Sequence, residues 1–302
     1  MSGKADSLKS VLYALGANLA IALAKSAGAA YTGSSSMLAE AIHSFADCGN
    51  QGLLLWGMRR AGKAPNADHP LGYGKAIYFW SFIVALMLFS MGGLFSIYEG
   101  VHKLNHPEPM NNAWVALAIL AFGIAAESLS LWGALREIDK ERGGRNHWAW
   151  FRNSRTSELV VIFGEDLAAL GGLVLAFAFI VTALLTGNPM WDALGSVAIG
   201  ALLVLVAVLV GNEISSLLVG QSVDPLVERA MRDHLAARPE VQRVFNLITQ
   251  QLGPDVMVAV KAMIVPQGSE QGLIDATNRV ERSLRESFPQ IRWCFFEPDQ
   301  SD

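Results

Sequence analysis

The chain has 302 residues, 52% of them hydrophobic and 17% charged, with a formal net charge of −4. The polar residues are gathered into a few segments, which excludes an ordinary soluble globule and points to a membrane protein. The two cysteines, Cys48 and Cys294, make no disulfide framework, and the chain shows neither a nucleic-acid motif nor a Gly-x-x-x-x-Gly-Lys-Ser/Thr nucleotide loop.

Six apolar stretches, roughly residues 10–32, 36–58, 77–101, 113–135, 159–185 and 191–218, reach the ~20 helical residues needed to cross a hydrocarbon core. The first is read as a span and not as a leader cleaved near Ala27–Ala30, because its run is long and holds Asn18 and Lys25. Lys4 and Lys9 precede it, Arg59, Arg60, Lys63 and Lys75 lie between spans two and three, and Arg136, Lys140, Arg142, Arg145, Arg152 and Arg155 lie between four and five. The alternate loops hold Lys103. By the positive-inside rule both termini are cytoplasmic, and the setting expected is a bacterial inner membrane.

Leu104–Pro109 and Gly187–Pro189 are tight turns joining antiparallel neighbours. The loop before span three carries Asp68-His-Pro-Leu-Gly-Tyr-Gly-Lys75. The loop from Arg136 to Ser157 holds His147, Trp148, Trp150 and Phe151, aromatics expected at the membrane interface.

After Gln221 the pattern becomes that of a small soluble domain. Asp224-Pro225 is an N-cap with proline at the first helical position, opening a helix to about Arg238. Residues 241–250 and 255–265 alternate as two strands around Gly253-Pro254, a second helix covers 269–287, and 291–296 form a third strand. The division expected is a six-helix transmembrane transport domain over 1–219 and an αββαβ, ferredoxin-like cytoplasmic domain over 220–302. In that unit two helices cover one face of an antiparallel sheet, and the other face serves dimerisation.

The chemistry lies in spans two and five. His43 and Asp47 are four residues apart and share one helix face, which Glu40 extends outward and Asn50 inward. Ionisable groups inside a membrane point by default to function, whereas a packing role would leave these two bonded to each other. Span five brings Glu165 and Asp166 together. Adjacent residues point ~100° apart on a helix, so one of them aims at a given point, and Asp166 is chosen. Two carboxylates and an imidazole suit a borderline divalent cation such as zinc, with water, Glu165 or Asn50 completing the shell. Metal and protons then compete for the site, which makes proton-driven exchange possible. Asp192, at the outer start of span six, either attracts the departing cation or serves as a helix-start acid. Lys25 pairs with an acid or with lipid phosphate. Glu99 and Glu127 have no visible partner, and the loop histidines are read as solvated.

At these residues the chain resembles the cation diffusion facilitator family. The match rests on six spans, the His43-x-x-x-Asp47 pair, Asp166, the His69-Pro-Leu-Gly-Tyr-Gly-Lys75 stretch and the αββαβ tail. The resemblance implies a homodimeric metal/proton antiporter whose tetrahedral site, between spans two and five, takes His43, Asp47 and Asp166 as ligands. It implies no prosthetic group: zinc, or another divalent transition metal, is the transported substrate. The family places a His or Asp four residues before the span-five aspartate, where this chain has Ile162, and the Glu165-Asp166 pair is similar to an organellar zinc-transporter branch. Metal choice therefore stays open between zinc and manganese, cobalt or iron, and a non-transporting metal-responsive scaffold is the reading from another class. With only His234 and Cys294 in the tail, no dense regulatory metal cluster is expected there.

Overall fold

The computed structural model describes residues 18–106 and 112–301. The beginning of span one and residues 107–109 of the Leu104–Pro109 turn lie outside them. Helix α1 occupies residues 18–32 of the described chain, followed by α2 (Ser35–Ala61). The third span is continuous from Ala76 to Asn105 but changes winding, with α3 (Ala76–Met87), a π-helical segment (Leu88–Leu94) and α4 (Phe95–Asn105). Then come α5 (Ala113–Glu141), the short α6 (His147–Asn153), α7 (Ser157–Thr186) and α8 (Met190–Val219). Ala76–Asn105, α5, α7 and α8 are each long and apolar enough to cross a membrane, with mean hydropathies of 1.9, 1.9, 2.5 and 2.8. At 27 residues α2 has the length, and Glu40, His43, Asp47, Arg59 and Arg60 dilute its hydropathy.

The chain divides into two compact units. One takes the chain up to Trp56 together with Trp80–His147 and Glu158–Glu213. Within it the third span and α8 meet backbone to backbone: a Cβ on Gly200 would lie 2.7 Å from Gly93 O, and one on Gly100 would lie 2.8 Å from Ala193 O. Small residues at such crossings are the usual means of helix association in lipid, where no hydrophobic force draws helices together.

The other unit takes Gly57–Phe79, Trp148–Ser157 and Ile214–Asp302. Helix α9 (Pro225–Ala236) opens as expected, with the Asp224 carboxylate accepting from Leu226 N at 2.9 Å. Strands β1 (Val241–Leu252) and β2 (Asp255–Ile264) form an antiparallel hairpin, helix α10 (Glu270–Ser287) follows, and β3 (Ile291–Pro298) completes a sheet of order β1-β2-β3. Here the expectation of an antiparallel sheet is corrected, because β3 runs parallel to β2. The 18-residue α10 supplies the crossover that a parallel neighbour requires, and a hairpin signal says nothing about the third strand. Met231, Leu235, Val258, Ala276, Val280 and Leu284 form the core on the helix-covered face.

The loop motif before the third span is folded against this hairpin. The Tyr78 hydroxyl accepts from Gly253 N at 2.9 Å, and Gly253, at φ +68°, lies so close to Gly74 that neither tolerates a Cβ. Arg155 donates to Ser222 O at 2.6 Å. The aromatic patch is helical and divided: Trp148 is exposed, whereas Trp150 and Phe151 are buried.

Candidate functional site

Helix α2 begins at a joint that its sequence could not reveal. Its first N–H groups have no partner within the helix. Ser34 Oγ accepts from Met37 N at 3.1 Å, while Asp192 of α8 takes the rest. Asp192 Oδ1 accepts from Ser34 Oγ (2.7 Å) and Ser36 N (3.3 Å), and Oδ2 from Ser35 N (2.7 Å) and Ser35 Oγ (3.0 Å). Both carboxylate oxygens are thus engaged at the helix N-terminus, where negative charge is favoured. Of the two roles open to Asp192, this geometry is that of a helix-start acid, although the helix it serves is α2.

Along α2, residues 40, 43, 47, 50 and 51 recur at helical spacing and make one polar stripe. Glu40 and His43 are fully buried, as is Asn50. His43 Nδ1 lies 3.6 Å from Asp47 Oδ1, too long for a good hydrogen bond. Among the described residues, Glu40 Oε1, both ring nitrogens of His43, Asp47 Oδ1, Asn50 Oδ1 and Gln51 Oε1 have no hydrogen-bond partner. Buried polar atoms are nearly always paired, so a run of unpaired acceptors down one helix face is exceptional.

Helix α7 faces part of this stripe. Asn50 Nδ2 donates to Glu165 Oε1 at 2.5 Å, while Asp166, one residue on, accepts from Ser130 Oγ of α5 at 3.1 Å. The ~100° between adjacent helical residues sends the two acids to different neighbours. Glu165 meets α2, and Asp166 meets α5. Lys25 of α1, fully buried, donates to Glu40 Oε2 at 3.2 Å and to Ser44 Oγ at 2.7 Å. Asn18, Ile21, Ser44, Asp47 and Glu127 line a small crevice.

Among the described residues no three His, Cys, Asp or Glu side chains converge closely enough to hold a metal ion in this arrangement. His43 and Asp47 stand together, Glu165 is tied to the same helix through Asn50, and Asp166 is turned to Ser130. Sequence reasoning gave no role to Ser44, Ser130 or Gln51. Gln51 alone carried a signal, since it extends the stripe by a further residue.

Outside the spans, the two tail residues with metal-binding side chains are occupied otherwise. His234 Nε2 lies 2.9 Å from Ser283 Oγ. Burial, with the nearby Glu281 charge, pushes the Cys294 thiol up to about 11. Among the described residues both cysteines are free.

Comparison with known proteins supplies the family. The model of the cation efflux transmembrane domain matches residues 11–219. The chain belongs to the cation efflux family. It is 34% identical over 225 residues to the mouse protein named proton-coupled zinc antiporter SLC30A9, mitochondrial, which covers 74% of this chain and 40% of the mouse protein. Metal tolerance protein C4 of Arabidopsis thaliana is 31% identical over 222 residues, covering 72% of this chain and 48% of that protein. Zinc transporter ZitB of Escherichia coli is 24% identical over 272 residues, covering 89% of this chain and 82% of ZitB. The chain therefore spans less than half of the mouse and plant relatives, and most of the bacterial one. Cation efflux proteins are integral membrane transporters, consistent with the apolar helices of this chain.

Proposed function

We propose that this chain is a proton-coupled antiporter that exports a divalent transition-metal cation, zinc foremost, from the cytoplasm. The observation that carries the reading is the row of buried, unpaired acceptors on α2, from Glu40 Oε1 through His43 and Asp47 to Asn50 and Gln51. Leaving such atoms unmade costs about 1–3 kcal/mol each, and a cation that comes and goes offsets that cost. Imidazole and carboxylate suit zinc. Two relatives with zinc in their names, one of them also naming proton coupling, support the substrate and the driving ion.

His43 and Asp47 are the ligands nearest assembly. Asp166 is the third, reached when α7 turns it from Ser130 toward α2, and Glu165 holds the inner end of the path through Asn50. Coupling follows because each ligand must shed its proton before metal binds. The test is zinc flux into proteoliposomes loaded with a metal-sensitive dye, with and without an imposed pH gradient. We expect His43→Ala and Asp166→Ala to abolish flux in folded protein and the gradient to alter the wild-type rate. Flux indifferent to the gradient contradicts the coupling, and flux indifferent to both substitutions contradicts the site.

The setting is the inner membrane of a bacterium, with termini and tail cytoplasmic. The extent of the ZitB match supports this more than the partial match to the mitochondrial protein. Residues 1–219 form the transport domain and 220–302 the dimerisation domain. The sheet face away from the helices supports a homodimer: Ile248, Ala259 and Phe295 are register neighbours, and Ile248 and Phe295 are 56% and 57% exposed. Native mass measurement of the intact protein tests this, and a monomer contradicts it.

A further inference from the structure

Lys25 is placed where a lysine is expensive. None of its surface is exposed, and its Nζ reaches Glu40 Oε2 and Ser44 Oγ, two residues of α2 that flank His43. Room for the carboxylate of the pair is made by a glycine on another helix: a Cβ on Gly172 of α7 would run into Glu40 Oε1. The pair is one-sided, since Glu40 Oε1 has no partner among the described residues. A buried ion pair is weak support for stability, because desolvation offsets its attraction, and an apolar pair of similar volume would pack as well. Its presence in a membrane core therefore asks for a further reason.

A fixed positive charge beside a row of acceptors does two things to a divalent ion. It cancels one carboxylate of the row, and it repels an ion held at His43 and Asp47. Both weaken binding. A carrier needs binding that is favourable enough to admit an ion and weak enough to let it leave. We propose that Lys25 is a tethered counter-cation, paired to Glu40, that sets how tightly the α2 row holds its divalent ion and so permits release. The proposal rests on the transport reading above.

The test uses the full chain in proteoliposomes, zinc as the probe and the same pH on both sides, with KM and maximal rate measured separately. Lys25→Gln uncovers Glu40 and should lower KM about tenfold while slowing the maximal rate, because one unit charge near a divalent ion carries roughly that weight in partly screened surroundings. Glu40→Gln leaves Lys25 uncompensated and should raise KM by a similar factor. The double substitution should return KM close to wild type, and Lys25→Arg should stay close to it throughout. A pair that merely packs would shift neither KM, and both single substitutions would reduce the folded fraction alone. Unchanged KM in folded Lys25→Gln, or KM shifts of the same sign in Lys25→Gln and Glu40→Gln, overturns the proposal. Should Lys25→Gln fail to fold, Glu40→Gln and the double substitution still decide it, and a double whose KM stays as high as that of Glu40→Gln overturns it. If wild-type flux equals that of His43→Ala, the transport reading falls and takes this one with it. If that control behaves, failure of the KM shifts removes Lys25 alone.

Discussion

Asp192 and Asp47 belong to the same compact unit, and their surroundings are opposite. Asp192 accepts four hydrogen bonds from Ser34, Ser35 and Ser36, so both oxygens are satisfied and the N-terminus of α2 is joined to α8. Asp47 has His43 3.6 Å away, and its Oδ1 has no hydrogen-bond partner among the described residues. A satisfied carboxylate in a membrane holds structure together. An unsatisfied one, in a row of others like it, is what we propose receives the transported ion.

The contrast breaks most sharply at Asp47. Asp47→Ala should cut zinc flux by more than about 100-fold, since groups that only support a metal ligand already contribute about 10–100-fold to metal affinity, and melting should change little because Asp47 Oδ1 gives up no hydrogen bond. Asp192→Ala should do the reverse. Unpairing the α2 N-terminus should cost roughly 3 kcal/mol of stability, read as a lowered melting temperature, with flux per folded molecule largely kept. Lost flux at unchanged melting in that variant would erase the distinction.

Smaller effects sharpen it. Glu165→Gln keeps a hydrogen bond to Asn50 and removes a charge, and a roughly tenfold fall in flux is expected, the lower end of what supporting groups around a metal contribute. The smallest effect lies in the C-terminal domain, at Cys294. The fold keeps its thiol protonated up to about 11, whereas an unfolded chain releases that proton near 9.0. The contribution of Cys294 is therefore complete below pH 9 and is lost as pH rises through 11. Across that window wild type should lose more stability than Cys294→Ala, narrowing the gap between their melting temperatures, and parallel curves would contradict the burial argument.

The stripe on α2 was legible in the sequence because helical spacing alone defines a face. The apolar runs and the Gly253 hairpin were legible for the same kind of local reason. Partners across the fold were not. Lys25 could be assigned to an acid or to lipid, but not to Glu40, because periodicity gives a direction on one helix and not what another helix brings to it. The Asp192 joint spans 158 positions in the chain from Ser34, and only tertiary packing reveals it. The sequence aims Asp166 at the site but does not show that Glu165 is bonded to α2 through Asn50 while Asp166 meets Ser130. A choice between adjacent helical residues turns on helix rotation, which sequence does not specify. The parallel β3 was hidden likewise, since strand propensity carries no direction.

Transport as proposed requires that the α2 row receive a divalent ion through His43. Zinc K-edge absorption on the full-length protein holding one equivalent of zinc tests this directly. Imidazole nitrogen is expected among mixed nitrogen and oxygen neighbours at about 2.0–2.1 Å, with the imidazole signature lost in His43→Ala. An all-oxygen shell in wild type, or a spectrum that His43→Ala leaves unchanged, would contradict it.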